Sequence, residues 1–219
     1  MALMTKVISG DWVENRLAFG MATTSSGLRE RKKEQTHGNL MAVAARLFAE
    51  RGFDIVTIEE IAAEADVSPR TFYRYFPAKE DLVLGNIDDG VNMLVNALRQ
   101  RPEGEPILDS IRGLVHDLAA EFEDNLDTQR RRAAVLEATP SLKLRNSERQ
   151  GIFEEALAPV IAERLGSSMA TDLKPRLIAA CAVAAFRVSS ATWIAGGAHG
   201  SLVPIVDDAL AMLTQGFDN

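Results

Sequence analysis

From Leu28 onward the apolar residues recur at helical intervals and almost never alternate. Leu40, Val43, Ala44, Leu47 and Phe48 fall at i, i+3, i+4, i+7 and i+8, one stripe of a helix that Gly52 is suited to stop. Thr57 and Glu60 form a T-x-x-E capping box ahead of Ile58, Ile61, Ala62 and Ala65, the buried face of a second helix. Asp66 tolerates left-handed turn geometry. Ser68-Pro69 then opens a third helix, with serine as N-cap and proline at the first helical position. Residues Thr57 to Phe76 therefore read as two short helices joined by a tight turn, a helix-turn-helix. After Pro77 the pattern predicts one longer helix to about Arg99, then a breaker over Arg101–Pro106. Further helices are expected at 107–126, 128–138, 141–165, 170–195 and 202–217, punctuated by Pro140, Gly166-Ser167-Ser168 and Gly196-Gly197. Residues 1–27 show no sustained period, end in Thr23–Gly27 and are expected to be a mobile tail. The fold class is all-α.

Composition supports that reading and narrows the chemistry. With 219 residues, 47% of them hydrophobic, the chain can bury a proper core. Cys181 is the single cysteine, so no internal disulfide is possible, and its apolar surroundings suggest a buried structural thiol. The longest unbroken apolar run, Leu177–Phe186, is ten residues, well short of the roughly 20 that span a bilayer. No basic start followed by an apolar segment marks the N-terminus, so a soluble cytoplasmic protein with no membrane partner is expected. His37, His116 and His199 are too few and too scattered for a metal site. His116, Asp117 and Glu121 read as a solvated helix face, and Arg130–Arg132 as exposed charge. No nucleotide loop, nucleophile elbow or nucleophile–base pair is present, which argues against an enzyme and against any cofactor.

The net charge of −7 speaks against non-specific nucleic-acid binding, but the charge is uneven. Residues 28–81 hold nine Lys/Arg against ten Asp/Glu, whereas residues 82–219 hold thirteen against nineteen. The distinctive stretch is Ser68–Lys79. On a helix beginning near Pro69, Phe72 and Phe76 can anchor against Leu47, Phe48, Ile58 and Ile61, turning Arg70, Thr71, Arg74 and Tyr73 outward. Arginine reaches guanine edges, the threonine methyl meets thymine, and tyrosine hydroxyls and Lys79 can hold phosphates. A solvated amphipathic helix would share the pattern. The capped partner helix, the turn and the stop at Pro77 together favour DNA recognition.

These residues also carry a resemblance. Ala45-x-Leu47-Phe48-x-x-x-Gly52-Phe53, Thr57-Ile58-x-x-Ile61-Ala62, Val67-Ser68 and Thr71-Phe72-Tyr73-x-Tyr75-Phe76-x-x-Lys79-x-x-Leu82 resemble the N-terminal DNA-binding domain of TetR-family regulators. The resemblance covers about Leu28 to Leu84 closely; beyond that only length and helical content agree. It implies phosphate contacts at Thr57, Tyr73, Tyr75 and Lys79, and base contacts at Arg70, Thr71 and Arg74, with Ser68 in the same interface. Two positions depart from the family pattern: Asp66 stands where glycine is usual, and Ala78 where serine often caps the next helix, leaving Glu80 and Asp81 to face its dipole. Arg31, Lys32 and Lys33, with Arg29, form either an arm reaching neighbouring phosphates or an ordinary solvated helix start.

The expected division is a tail at 1–27, a DNA-binding domain at 28–81 and a helical ligand-binding and dimerisation domain at 82–219. The resemblance implies a homodimer on palindromic operator DNA, with a small-molecule effector held by the middle helices and the last two helices pairing across subunits. Ala179, Ala180, Ala182, Ala184 and Ala185 suit close helix approach, and Trp193, Leu210, Leu213 and Phe217 offer bulk, though all could simply fill a monomer core. Phe122, Leu136, Leu142, Phe153, Leu157, Phe186 and Trp193 are either core or the lining of an apolar effector cavity, and Arg145 is a surface charge or an anion contact. A ligand-responsive repressor is the expected function. A helical scaffold that contacts DNA poorly is the rival reading, favoured mildly by the acidic charge.

Overall fold

The computed structural model describes residues 28–215, which form ten helices with no strand among them. They are α1 (Leu28–Arg51), α2 (Ile58–Glu64), α3 (Pro69–Tyr75), the single turn α4 (Asp81–Leu84), α5 (Ile87–Arg99), α6 (Ile107–Asp124), α7 (Leu126–Ala138), α8 (Pro140–Leu165), α9 (Lys174–Ala195) and α10 (Val203–Gln215). The expected tail at 1–27, and Phe217, lie outside the described residues.

The single helix expected between Pro77 and Arg99 is two. Gly85 takes a left-handed φ of 75° and donates its N–H to Asp81 O, ending α4 as a glycine without Cβ can. Asn86 then caps α5, its Oδ1 accepting the backbone N–H groups of Asp88 (2.8 Å) and Asp89 (3.2 Å). The two aspartates suit the positive end of the new helix.

Packing divides the chain into two compact units. The first runs to Gly90 and adds Asp127–Arg145; the second comprises Val91–Leu126 and the chain from Asn146. The division therefore falls inside α5, beyond the residue-81 boundary read from the sequence, and α7 joins the N-terminal helices. The core of the first unit holds the α1 stripe of Leu40, Ala44, Leu47 and Phe48 with Ile61, Ala62, Phe72 and Phe76, closed by Leu82–Leu84 and Leu142. In the second unit Leu98, Ile111, Leu114, Val115, Leu157, Ile161, Ala179, Ala182, Trp193 and Val206 share one core. Cys181, on α9, is half-buried, less enclosed than its neighbours in sequence suggest.

The breaker after α5 is itself structured. Arg101 makes a two-pronged pair with Glu105 (3.0 and 2.8 Å), and Ser110 donates its hydroxyl to the same carboxylate at 2.7 Å. Arg164 caps the segment from α8, donating to the carbonyls of Arg101 and Pro102. Gly113 leaves the space in which the Arg101 guanidinium lies; an added Cβ would collide with it.

Candidate nucleic-acid interface

The first unit positions a short helix by three local devices. Thr57 caps α2: its Oγ1 accepts the Glu60 N–H, while the Glu60 carboxylate accepts the Thr57 N–H at 2.8 Å. That contact, with the Arg51 guanidinium and the Thr57 hydroxyl, holds the Glu60 carboxyl down at about 2. The end of α2 is a Schellman motif, in which Val67 N–H reaches Ala62 O and Asp66 N–H reaches Ala63 O. Asp66 occupies its left-handed position, at φ 56°, where glycine would be free of strain. Asn39 on α1 donates its amide to Ala65 O at 3.1 Å, tying α1 to the turn. Ser68 then caps α3, its Oγ accepting the Thr71 N–H, with Pro69 in the first turn.

On α3 the apolar anchors and the arginines take opposite poles. Phe72 is fully buried and Phe76 nearly so, their rings 5.6 Å apart, as the sequence pattern predicts. At 100° per residue, Arg70 and Arg74 lie on the far side of the helix from both. Both are exposed, and Tyr73 is 51% exposed. Thr71 and Tyr75 are half-buried; the Thr71 hydroxyl pairs with that of Ser68 at 2.9 Å, and the Arg74 guanidinium lies 5.1 Å from the Tyr75 ring centre.

Charge pairing separates these arginines from the rest of the unit. Arg46 bridges Glu64 at 2.6 Å and Glu50 at 3.5 Å, and Arg51 bridges Glu60 at 2.8 Å, so two of the three acidic residues of α2 are answered from α1. Among the described residues neither Arg70 nor Arg74 has an ion-pair partner. Arg31, Lys32 and Lys33 are exposed in the first turns of α1, and Thr57 and Ser68 are exposed while capping.

Lys79 is placed differently from the expectation. Its ammonium donates to Phe53 O (2.8 Å) and Val56 O (2.9 Å) and sits 4.3 Å from the Phe53 ring centre. Two of its three donors thus fasten the α1–α2 loop to the segment after α3. Ala78, without a capping hydroxyl, still donates its N–H to the Asp81 carboxylate at 3.0 Å, keeping half of the usual reciprocal cap.

Comparison with known proteins places this geometry. Residues 40–85 match the family described as bacterial regulatory proteins, tetR family, and residues 105–218, more than half of the chain, match the MftR C-terminal domain. The chain is a TetR-family regulator. It is 34% identical to the HTH-type transcriptional regulator TcmR of Streptomyces glaucescens, covering 76% of each chain. It is 26% identical to MftR of Mycobacterium tuberculosis, over 68% of this chain and 75% of that one. Among solved structures it resembles NalD, the secondary repressor of the MexAB-OprM multidrug efflux pump in Pseudomonas aeruginosa, with a TM-score of 0.55 at 19% identity over 85% of this chain and 97% of that one. It also resembles Salmonella enterica GusR, with a TM-score of 0.52 at 20% identity over 84% and 95%. The TetR-family regulator is thus an all-α, helix-turn-helix transcription factor and not an enzyme.

The residues read as either core or the lining of an effector cavity are divided between the two units. Leu142 is fully buried in the first unit's core, Leu136 packs against that core, and Arg145 is exposed in the same unit. Phe122, Phe153, Leu157, Phe186 and Trp193 belong to the second unit, where the Phe122 ring lies 5.7 Å from Phe186 and 6.3 Å from Trp193. The solvated face expected at His116–Glu121 also needs correcting. His116 Nε2 contacts Asp207 on α10 at 2.9 Å, and burial, helped by Asp124, pushes the Glu121 carboxyl up to about 7.

Proposed function

We propose that this TetR-family regulator is a ligand-responsive repressor that binds a palindromic operator as a homodimer and leaves it when a small hydrophobic or amphipathic effector binds the second unit. One observation carries the DNA reading: Arg70 and Arg74 stand exposed and without ion-pair partners on a helix pinned by Phe72 and Phe76. In the major groove they read bases, with Thr71 beside them, while Tyr73, Tyr75, Thr57 and Ser68 hold phosphates. Arg31, Lys32 and Lys33 extend the phosphate contacts. Lys79 acts by fixing the loop under α3.

The homodimer reading has its own support. The α9 stretch is long and apolar enough to cross a membrane by length and composition, yet only 33% of it is buried within the chain. Leu177 (53% exposed), the half-buried Cys181 and Ala184, Val188 (49%) and Ala191 follow one another at three- or four-residue steps, and Met212 on α10 is 49% exposed. A second copy covering α9 and α10 removes this surface from water and sets two α3 helices on successive major grooves, about 34–36 Å apart. The site of action is the cytoplasm, where the operator lies.

Release then needs an effector that binds one conformation better than the other, by about 5.5 kcal/mol for a shift from 1:99 to 99:1. Selection of operator fragments from random duplexes tests the reading. The expected result is a palindromic consensus whose recognition is weakened at defined bases by Arg70→Ala or Arg74→Ala; binding without sequence preference contradicts it.

A further inference from the structure

Helix α6 turns one seam toward the second unit's core: Ile111, Leu114, Val115 and Leu118 recur at one-, three- and four-residue steps. Carried forward, the seam reaches Glu121, three residues beyond Leu118, and Asn125, four residues further. A carboxylate and an amide thus occupy positions that the period reserves for apolar side chains.

Neither is fully answered by the protein. Asn125 is 2% exposed; its Nδ2 donates to Glu121 O at 2.8 Å, but its buried Oδ1 accepts no hydrogen bond. No cation offsets the burial of the Glu121 carboxylate. Buried polar groups are ordinarily paired, so the orphaned Asn125 Oδ1 beside a half-buried acid points to a partner from outside the chain. Between the two on the helix, Phe122 is half-buried and meets the half-buried Phe186 edge to face. The nearby indole N–H is already spent, donating from Trp193 to Gly200 O at 3.3 Å. The cluster therefore offers acceptors and aromatic surface.

We propose that Glu121 and Asn125 form the polar end of the effector site in the second unit, selecting an organic molecule that carries hydrogen-bond donors, ammonium or hydroxyl, on a flat apolar body. The inference rests on the reading that this unit senses a small molecule. The donors of such a molecule satisfy Asn125 Oδ1 and the Glu121 carboxylate, while its apolar body covers Phe122 and Phe186. An anion of the same shape meets the Glu121 charge and is rejected.

Three fluorescent tricyclic probes of matched shape test this on the full chain without DNA: 9-aminoacridine, 9-anthracenemethanol and 9-anthracenecarboxylate. The expected order of affinity is amine, then alcohol, then carboxylate. Glu121→Gln, nearly isosteric, weakens the amine at least about tenfold, and Asn125→Leu weakens amine and alcohol alike, with circular dichroism reporting the fold of each variant. Failure of 9-aminoacridine to bind, equal binding by wild type and both variants, or preference for the carboxylate overturns the proposal. Should the carboxylate instead release selectively bound operator DNA, sensing stands and the assignment to Glu121 falls. Should no operator be bound at all, the regulator reading falls with it.

Discussion

At the scale of single residues, the helix-turn-helix depends on contacts that no charge count reveals. Lys79 is the clearest case, because its ammonium serves two loop carbonyls and an aromatic face. Lys79→Ala leaves those carbonyls without their donor, a loss of roughly 1–3 kcal/mol. Thermal unfolding of the variant is expected to show that loss, while the slope of log affinity against log salt stays nearly unchanged; a slope reduced by about one, at constant stability, would instead make Lys79 a phosphate contact. Asp66 carries a smaller strain of its own at φ 56°. Asp66→Gly should stabilise the unit by up to about 1 kcal/mol in urea unfolding, and a destabilised variant would mean that the carboxylate has a role beyond filling the turn.

At the scale of elements, what was legible followed periodicity and capping. The α1 stripe, the Thr57–Glu60 box and the Ser68-Pro69 start each depend on neighbours within four residues, so the sequence displays them directly. The break at Gly85–Asn86 was equally local, a left-handed stop followed by an amide cap and two acids, but the apolar period running through it masked the signal. What stayed hidden were long-range partners. The reach of Asn39 to Ala65 and of Lys79 to Phe53 spans 26 residues in each case, and nothing in the spacing announces either. The assignment of Leu142 to the first unit's core, one of the two readings its sequence left open, has the same origin, since it follows from chain return and not from pattern. Helix α9 supports a prediction at this scale. Val188→Glu places a charge in the proposed subunit contact and should shift the chain from dimer to monomer in sedimentation velocity; an unchanged dimer would move the interface elsewhere.

For the whole molecule, two carboxyls of the second unit respond to pH in opposite directions. The Glu121 carboxyl is raised from its ordinary 4.5 to about 7 by burial and by Asp124, so the folded state holds that proton more tightly than the unfolded chain does. Its contribution is complete below about 4.5 and is lost as pH climbs toward 7. Glu105 does the reverse: the hydrogen bonds from Arg101 and Ser110 hold it at about 2, so its contribution is present above 4.5 and lost as pH falls toward 2. Melting temperature measured from pH 5 to 8 should therefore decline less steeply for Glu121→Gln than for the natural chain, and parallel curves would deny the carboxyl its buried state. The net charge of −7 is compatible with DNA binding because Glu60 and Glu64 of α2 are paired with Arg51 and Arg46, while the α3 surface carries Arg70 and Arg74. On the proposed reading, that surface meets the operator. The most direct test is the affinity of the natural chain and of Arg74→Ala for a selected operator and its full set of single-base variants, at fixed salt. The expected result is a loss of about 1–3 kcal/mol of discrimination at one base pair of each half-site, with the remaining positions read as before. Unaltered discrimination at every position would contradict the assignment of α3 as the reading helix.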